Sequence, residues 1–297
     1  MRVSTGQLQQ LMMNSLQRSA VDFGNVSQQM ATGKKILKPS DAPLDSIQLM
    51  GLKKEQSALK QYNSNAANVK SGLSESETYM QSISDTLLKV RDLVLEAGNG
   101  GYNIEDRTAL ANELRPLQEA LKDSANAKNE DGHYIFSGSE VDQAPIQETA
   151  PGVYAYGGDN LSREVNVSKG VQIAGNVDVQ DVFFSGAHDL MADLDAFITD
   201  LETNPAGVSI TNMLNSTDAG IDMTTQTLTE IGGRIAALDQ ITNANTEIDL
   251  YSQTLQLELE SLDYADASMR LTQAQLALQT TQQVYSKVNQ LSLFSQL

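Results

Sequence analysis

The chain has 297 residues, no cysteine, no tryptophan and a formal charge of −18. Without cysteine it offers no disulfide, no thiolate nucleophile and no cysteine-ligated metal. An acidic chain also repels nucleic-acid phosphates and anionic lipid, so neither nucleic acid nor a membrane surface is an expected partner.

At 40% hydrophobic residues the chain can bury a core, and its length suggests about two domains. The start lacks the apolar stretch of a secretory signal peptide, and no apolar run is long enough to cross a bilayer. The expectation is a protein that stays in the cytoplasm or leaves by a route that reads no cleavable signal.

The first segment places Met12, Leu16, Ser19, Phe23, Val26 and Met30 at alternating steps of four and three, a heptad seam. Gly33 then reads as a helix C-terminal residue, with Lys34 and Lys35 near the negative end of the helix dipole. Pro39 and Pro43 forbid one continuous helix. Ser40 or Asp41 is the expected N-cap of the next one, with Pro43 in its first turn.

From Leu52 to Val94 the same alternation runs unbroken through Leu59, Tyr62, Ala66, Val69, Leu73, Met80, Ile83, Leu87 and Val90. Only Glu55 and Ser76 are polar. From Pro43 to Glu96 such a helix would be about 80 Å long at about 1.5 Å per residue. The stretch 97–103 breaks it. A third helix follows on Leu110, Leu114, Leu117 and Leu121, with Pro116 expected to kink it.

Residues 152–184 alternate apolar and polar side chains between Gly, Asn and Asp turns, which predicts short antiparallel strands. Acids outnumber bases by 12 to 2 over 140–204. This region is expected to face solvent as an outer β domain dispensable for assembly. Helix returns after Pro205, and no Gly or Pro occurs from 234 to 297. Ile241, Ile248, Leu255, Leu262, Met269 and Leu276 recur every seventh residue. A second register, Ala267, Leu271, Ala274, Leu278, Thr281, Tyr285 and Val288, lies beside it.

The fold class is therefore mainly α with an inserted small antiparallel β domain. The N- and C-terminal helices pair as a coiled coil. Three parts are expected: a terminal coiled-coil assembly domain (1–40 with 255–297), a helical rod (41–138 with 205–254) and the outer acidic β domain (139–204).

The two ends are poor in charge. Residues 1–32 carry Arg2, Arg18 and Asp22, and residues 267–297 carry Arg270 and Lys287. A solvated helix covers its outer face with Lys and Glu, whereas interface cores are depleted in charge. Either the ends form a two-helix coiled coil with a neutral surface, or copies of similar helices wrap them on all sides. In the second case they would be poorly ordered until assembly.

Several segments carry a resemblance. "MATGKKILKPSDAP" (30–43) resembles the SGKRI-x-x-PSDDP segment of the flagellin-like axial proteins of the bacterial flagellum, with Asp41 followed by Ala42 where that family has paired Asp. "GHYIFSGSEVDQAP" (132–145) and "YGGDNLSREVNVSKGVQIAGN" (156–176) look like the entry to the outer domain of its hook-associated members and the first hairpins of that domain. "IGGRIAALDQ" (231–240) resembles the LGARxNRL signature. The ending, 261–297, looks most like that of the hook–filament junction branch.

The resemblance implies a secreted structural adaptor at the hook–filament junction, exported unfolded through the flagellar type III apparatus. A dedicated chaperone would cover its C-terminal helix. Its partners would be identical subunits in a ring, the first hook-associated protein on the hook side, and flagellin or the filament cap on the distal side. It implies that the joint around Lys34, Lys35, Pro39 and Pro43 links an inner coiled coil to a second layer. The assembly residues would be Leu16, Phe23, Met30, Lys34, Lys35, Pro39, Pro43, Leu262, Met269, Leu271, Leu278 and Val288. Flagellin itself is the nearest alternative, and an acidic binding module on a helical stalk is a more distant one.

Catalytic patterns are missing from the sequence. His133 and His188 stand far apart and outside any H-E-x-x-H pattern. Asp178 and Asp181 lack calcium-loop spacing. Gly98–Gly101 is not followed by the Lys of a phosphate-binding loop, and no G-x-S-x-G occurs. No enzyme activity, cofactor or metal is expected.

Overall fold

The computed structural model describes residues 5–98, 103–185, 189–203 and 209–294, with side chains between 7 and 288. His188, Pro205, most of the 98–101 glycine stretch and the last three residues lie outside the described residues. The order is α1 (Thr5–Thr32), α2 (Pro43–Ala97), α3 (Ile104–Ala125), β1 (Ile146–Ala150), β2 (Val153–Tyr156), β3 (Glu164–Ser168), β4 (Val171–Ala174), α4 (Gln180–Phe183), α5 (Leu190–Thr203), α6 (Ile210–Glu260) and α7 (Tyr264–Phe294). The chain divides into two compact units: Met1–Ala58 with Ile248–Leu297, and Leu59–Glu247. Helices α2 and α6 contribute residues to both.

In the Leu59–Glu247 unit the long seam of α2 is the backbone of the core. Ala66, Val69, Leu73, Met80, Ile83, Leu87, Val90 and Val94 are all buried. Ser76 is buried too, and it satisfies its hydroxyl by donating to Gly72 O at 2.9 Å. Helix α3 adds Leu110, Leu114 and Leu121. It opens on a capping box between Asn103 and Asp106. It runs through Pro116 without interruption. Next to that proline, Arg115 grips Glu202 of α5 through bonds of 2.8 to 3.2 Å.

The four strands form two separate antiparallel hairpins, β1–β2 and β3–β4. Their turns use Gly152 (φ +72°) and Gly170 (φ +75°), a left-handed conformation that side-chain-bearing residues avoid. Asparagine amides tie the hairpins to the helices. Asn126, at the end of α3, accepts from Ile146 N (2.8 Å) and donates to Ile146 O (3.0 Å). Asn245 of α6 is buried; it donates to Val167 O and Asn63 Oδ1 and accepts from Ser168 Oγ. Three bonds offset the cost of burying that amide.

The acidic region departs from expectation. Residues 190–203 are helix α5, and it buries Leu190, Met191, Leu194, Phe197, Ile198 and Leu201. Ile146, Val167, Val179 and Phe183 join the same core. None of the region's acids is fully buried, while its apolar residues complete the core, so it is not a self-contained solvent-facing module. Its charge excess masked an amphipathic helix.

In the other unit, α1 and α7 pack along each other. Val26 and Ala267 are buried at the seam, while Met12, Leu16, Ser19, Phe23 and Met30 on α1 are half-buried. On α7 the second register, Leu271, Ala274, Leu278, Thr281, Tyr285 and Val288, faces the pair. The seventh-residue repeat through Leu262 does not lie on one helix. The chain breaks at 261–263, between α6 and α7.

Candidate assembly interface

Two interruptions of helix meet in the Met1–Ala58 and Ile248–Leu297 unit. One is the 33–42 joint between α1 and α2; the other is the 261–263 break. Gly33 ends α1 with φ +68°. A Cβ there would come within 3.0 Å of the Tyr264 hydroxyl, so glycine fits for space as well as for φ. Gly33 O then accepts from Leu262 N at 3.1 Å, and Lys35 N donates to Glu260 O at 2.8 Å. Lys34 and Ser261 pair antiparallel between them. Backbone groups freed by both helix ends thus satisfy each other, which a break in α1–α2 alone could not achieve.

Side chains reinforce this stitch. The Glu260 carboxylate, 10% exposed, receives Lys34 Nζ at 2.8 Å and Lys53 Nζ at 3.3 Å. Burial pushes the Glu260 pKa up, but the bonds from Lys34, Gln256 and Lys53 outweigh it and hold the carboxyl below its ordinary value. Gln29 donates its amide to Lys35 O at 2.8 Å. Gln56 bridges to Gln256 at 3.1 Å.

Asp41 does not cap α2. Helix α2 begins at Pro43, and the Asp41 carboxylate instead accepts from Leu37 N (3.1 Å) and Lys38 N (2.9 Å), bracing the loop behind it. Asp263 caps α7 by accepting from Ala265 N (2.8 Å) and Asp266 N (3.2 Å).

Of the residues singled out in the sequence, Leu16, Phe23, Met30, Leu271, Leu278 and Val288 lie half-buried on the α1–α7 seam. Lys34 is taken up by Glu260 of its own chain. Lys35, Pro39 and Pro43 are exposed at the joint, and Leu262 is half-buried where the break meets Gly33. Met269 is 61% exposed and points away from the seam. It shares the outer side with Leu276, while Leu11 and Val21 are exposed on α1.

Sequence reading missed the 261–263 break and Glu260. Their signal was Asp263 three residues before Asp266, a capping pattern embedded in an apparently continuous heptad. This arrangement presents apolar, charge-poor helix faces beside a joint fastened by backbone and side-chain bonds.

Comparison with known proteins fits this geometry. Residues 3–141 match the bacterial flagellin N-terminal helical region. Flagellar hook-associated protein 3 of Escherichia coli (strain K12) is 25% identical over 315 aligned positions, spanning 99% of both chains. The flagellin FlaB2 of Treponema pallidum is 23% identical over 225 positions, 71% of this chain and 78% of its own. A solved Vibrio parahaemolyticus structure, assigned as a flagellar hook-associated protein, superposes with a TM-score of 0.71 at 33% identity, covering 74% of this chain and all of that one. With its paired terminal helices, its two hairpins and a likeness that runs end to end, the chain belongs to the hook-associated protein 3 family of flagellin-like proteins.

Proposed function

We propose that the protein is a structural subunit of the bacterial flagellum, placed between hook and filament as the platform on which flagellin polymerises. The observation that carries this reading is the outward apolar face of a charge-poor α1–α7 pair. In a protein whose likeness to hook-associated protein 3 spans its full length, such a face suits burial between subunits better than solvent. The functional division follows: a terminal assembly pair (1–40 with 255–297), a helical rod (41–138 with 205–254) and an acidic outer region (139–204). Its neighbours are identical subunits, the first hook-associated protein on the hook side, and flagellin or the cap beyond. A type III export chaperone covers the C-terminal helix before assembly. The role is structural, without catalysis.

Flagellin is the second reading, and the shorter alignment to FlaB2 favours it less. A deletion strain separates the two under the electron microscope. Hooks without filaments, with unpolymerised flagellin in the medium, are expected. Filaments of normal length, or short ones built from a second flagellin, would overturn the adaptor reading.

A further inference from the structure

Within the Met1–Ala58 and Ile248–Leu297 unit, two helical faces have matching apolar character and opposite charge. At the start of α2, Leu44, Ile47 and Met50 are exposed; near the end of α6, Leu250, Tyr251 and Leu257 are exposed. Each of the six is at least 64% exposed. Around the first face, residues 34–58 hold five lysines and three acids. Around the second, residues 248–266 hold five acids and no lysine or arginine.

The Lys34–Glu260–Lys53 cluster uses part of this charge inside the chain. Lys35, Lys38 and Lys54 on one side and Glu258 on the other are exposed, and none has an ion-pair partner among the described residues.

We infer that the basic apolar face at the start of α2 docks on the acidic apolar face at the end of α6 of a second copy, head to tail. A like-with-like contact would oppose lysine to lysine or acid to acid, which complementarity disfavours. Apolar anchors ringed by complementary charge are the composition of a specific interface. A contact between two different faces of one chain propagates, closing a ring or growing a helix according to the rotation per subunit. The inference rests on the reading that the chain assembles with itself. It adds which faces meet.

The test uses the full chain, whose lack of cysteine makes any introduced thiol unique. Ile47→Cys and Leu257→Cys chains, one carrying an affinity tag, are mixed and treated with a short bis-maleimide. The mixture is expected to give crosslinked heterodimer, with several-fold less dimer from either chain alone. Adding Lys54→Glu to the Ile47→Cys chain should cut the heterodimer several-fold. Adding Glu258→Lys to its partner should then restore it. Circular dichroism checks that each variant is folded. A mixture no better than the single chains, predominant Ile47→Cys homodimer, or charge reversal without effect would overturn the inference. Because the crosslink is read on purified protein, it stands or falls apart from the filament phenotype that tests the adaptor role.

Discussion

The two units divide apolar residues in opposite ways. Of the 35 buried hydrophobic residues among those described, 32 lie in Leu59–Glu247, and Val26, Leu49 and Ala267 lie in the terminal unit. Of the 21 large hydrophobic residues exposed among those described, 15 belong to the terminal unit, which holds just over a third of the chain. One unit buries its apolar residues within a single chain. The other leaves them outward: α1 and α7 share one seam, and among the described residues Leu11, Val21, Met269 and Leu276 stay exposed. Exposed apolar surface on this scale marks an association site. The same chain thus carries a folded body and, beside it in sequence, helices whose apolar faces are left outward.

The largest effect expected of any change falls on the body. Joining Ser139 to Pro205 removes α5 and the hairpins and with them Ile146, Phe183, Leu194 and Ile198 from the core. Cooperative thermal unfolding of this unit should be lost, as read by circular dichroism. A deletion that melts like the parent would show that the region is separable after all.

Single truncations should separate the units next. Leu87→Ala, at a fully buried site, should cost about 2–5 kcal/mol in denaturant unfolding. Leu276→Ala, 64% exposed, should change monomer stability by no more than about 0.5 kcal/mol while weakening assembly. Equal costs at the two sites would erase the contrast.

Leu278→Asp should block assembly and leave the body's melting unchanged. An unpaired carboxylate is costly in a packed interface and costs less on the half-buried α1–α7 seam of the lone chain. Assembly at the parental rate would remove Leu278 from the interface.

Replacing Pro39 and Pro43 with Ala should impair motility more than it lowers Tm, because the turn then competes with helix extension. The Gly33–Leu262 and Lys35–Glu260 bonds oppose that extension and limit the thermal effect. Full motility of this variant would mean that the joint tolerates either form.

The smallest effect is on pH dependence, where Glu260 and Asp178 should act with opposite sign. Glu260 titrates below its ordinary value, so its contribution is present above the usual glutamate range, about pH 4.3, and is lost as pH falls through the folded value. Asp178 in the body is pushed upward, chiefly by burial, so its contribution is present in acid and is lost as pH rises through its folded value. Glu260→Gln should flatten the acid limb of joint stability, followed by amide exchange at Lys35. An unchanged limb would exclude Glu260 as its source.

The long seam of α2 was legible because thirteen positions keep one period, and the structure buries or half-buries all of them except Glu55. The α1–α7 pairing and the β3–β4 hairpin were legible for the same reason: the pattern repeats, or a glycine punctuates it, whereas β1 lies before the stretch 152–184 read as strands and 180–183 within that stretch is helix α4. The break at 261–263 was not. A heptad repeat constrains spacing along a chain but not continuity of helix, and the bonds that stabilise this break come from Gly33 and Lys35, more than 200 residues away. Asp41 illustrates the same limit. Its residue type marks it as a capping residue, but its carboxylate takes the amides of Leu37 and Lys38 in the loop behind it. Helix α5 was hidden by its acids, because charge was read in place of periodicity.

Hydrogen exchange on the purified chain in dilute solution tests the contrast between the units most directly. Amides of α2 from Ala66 to Val94 should exchange slowly, near the limit set by global unfolding, whereas the described parts of α1 and α7 should exchange orders of magnitude faster. Slow exchange along α1 and α7, equal to that of the α2 core, would contradict the account, because the terminal pair would then be stable without any neighbour.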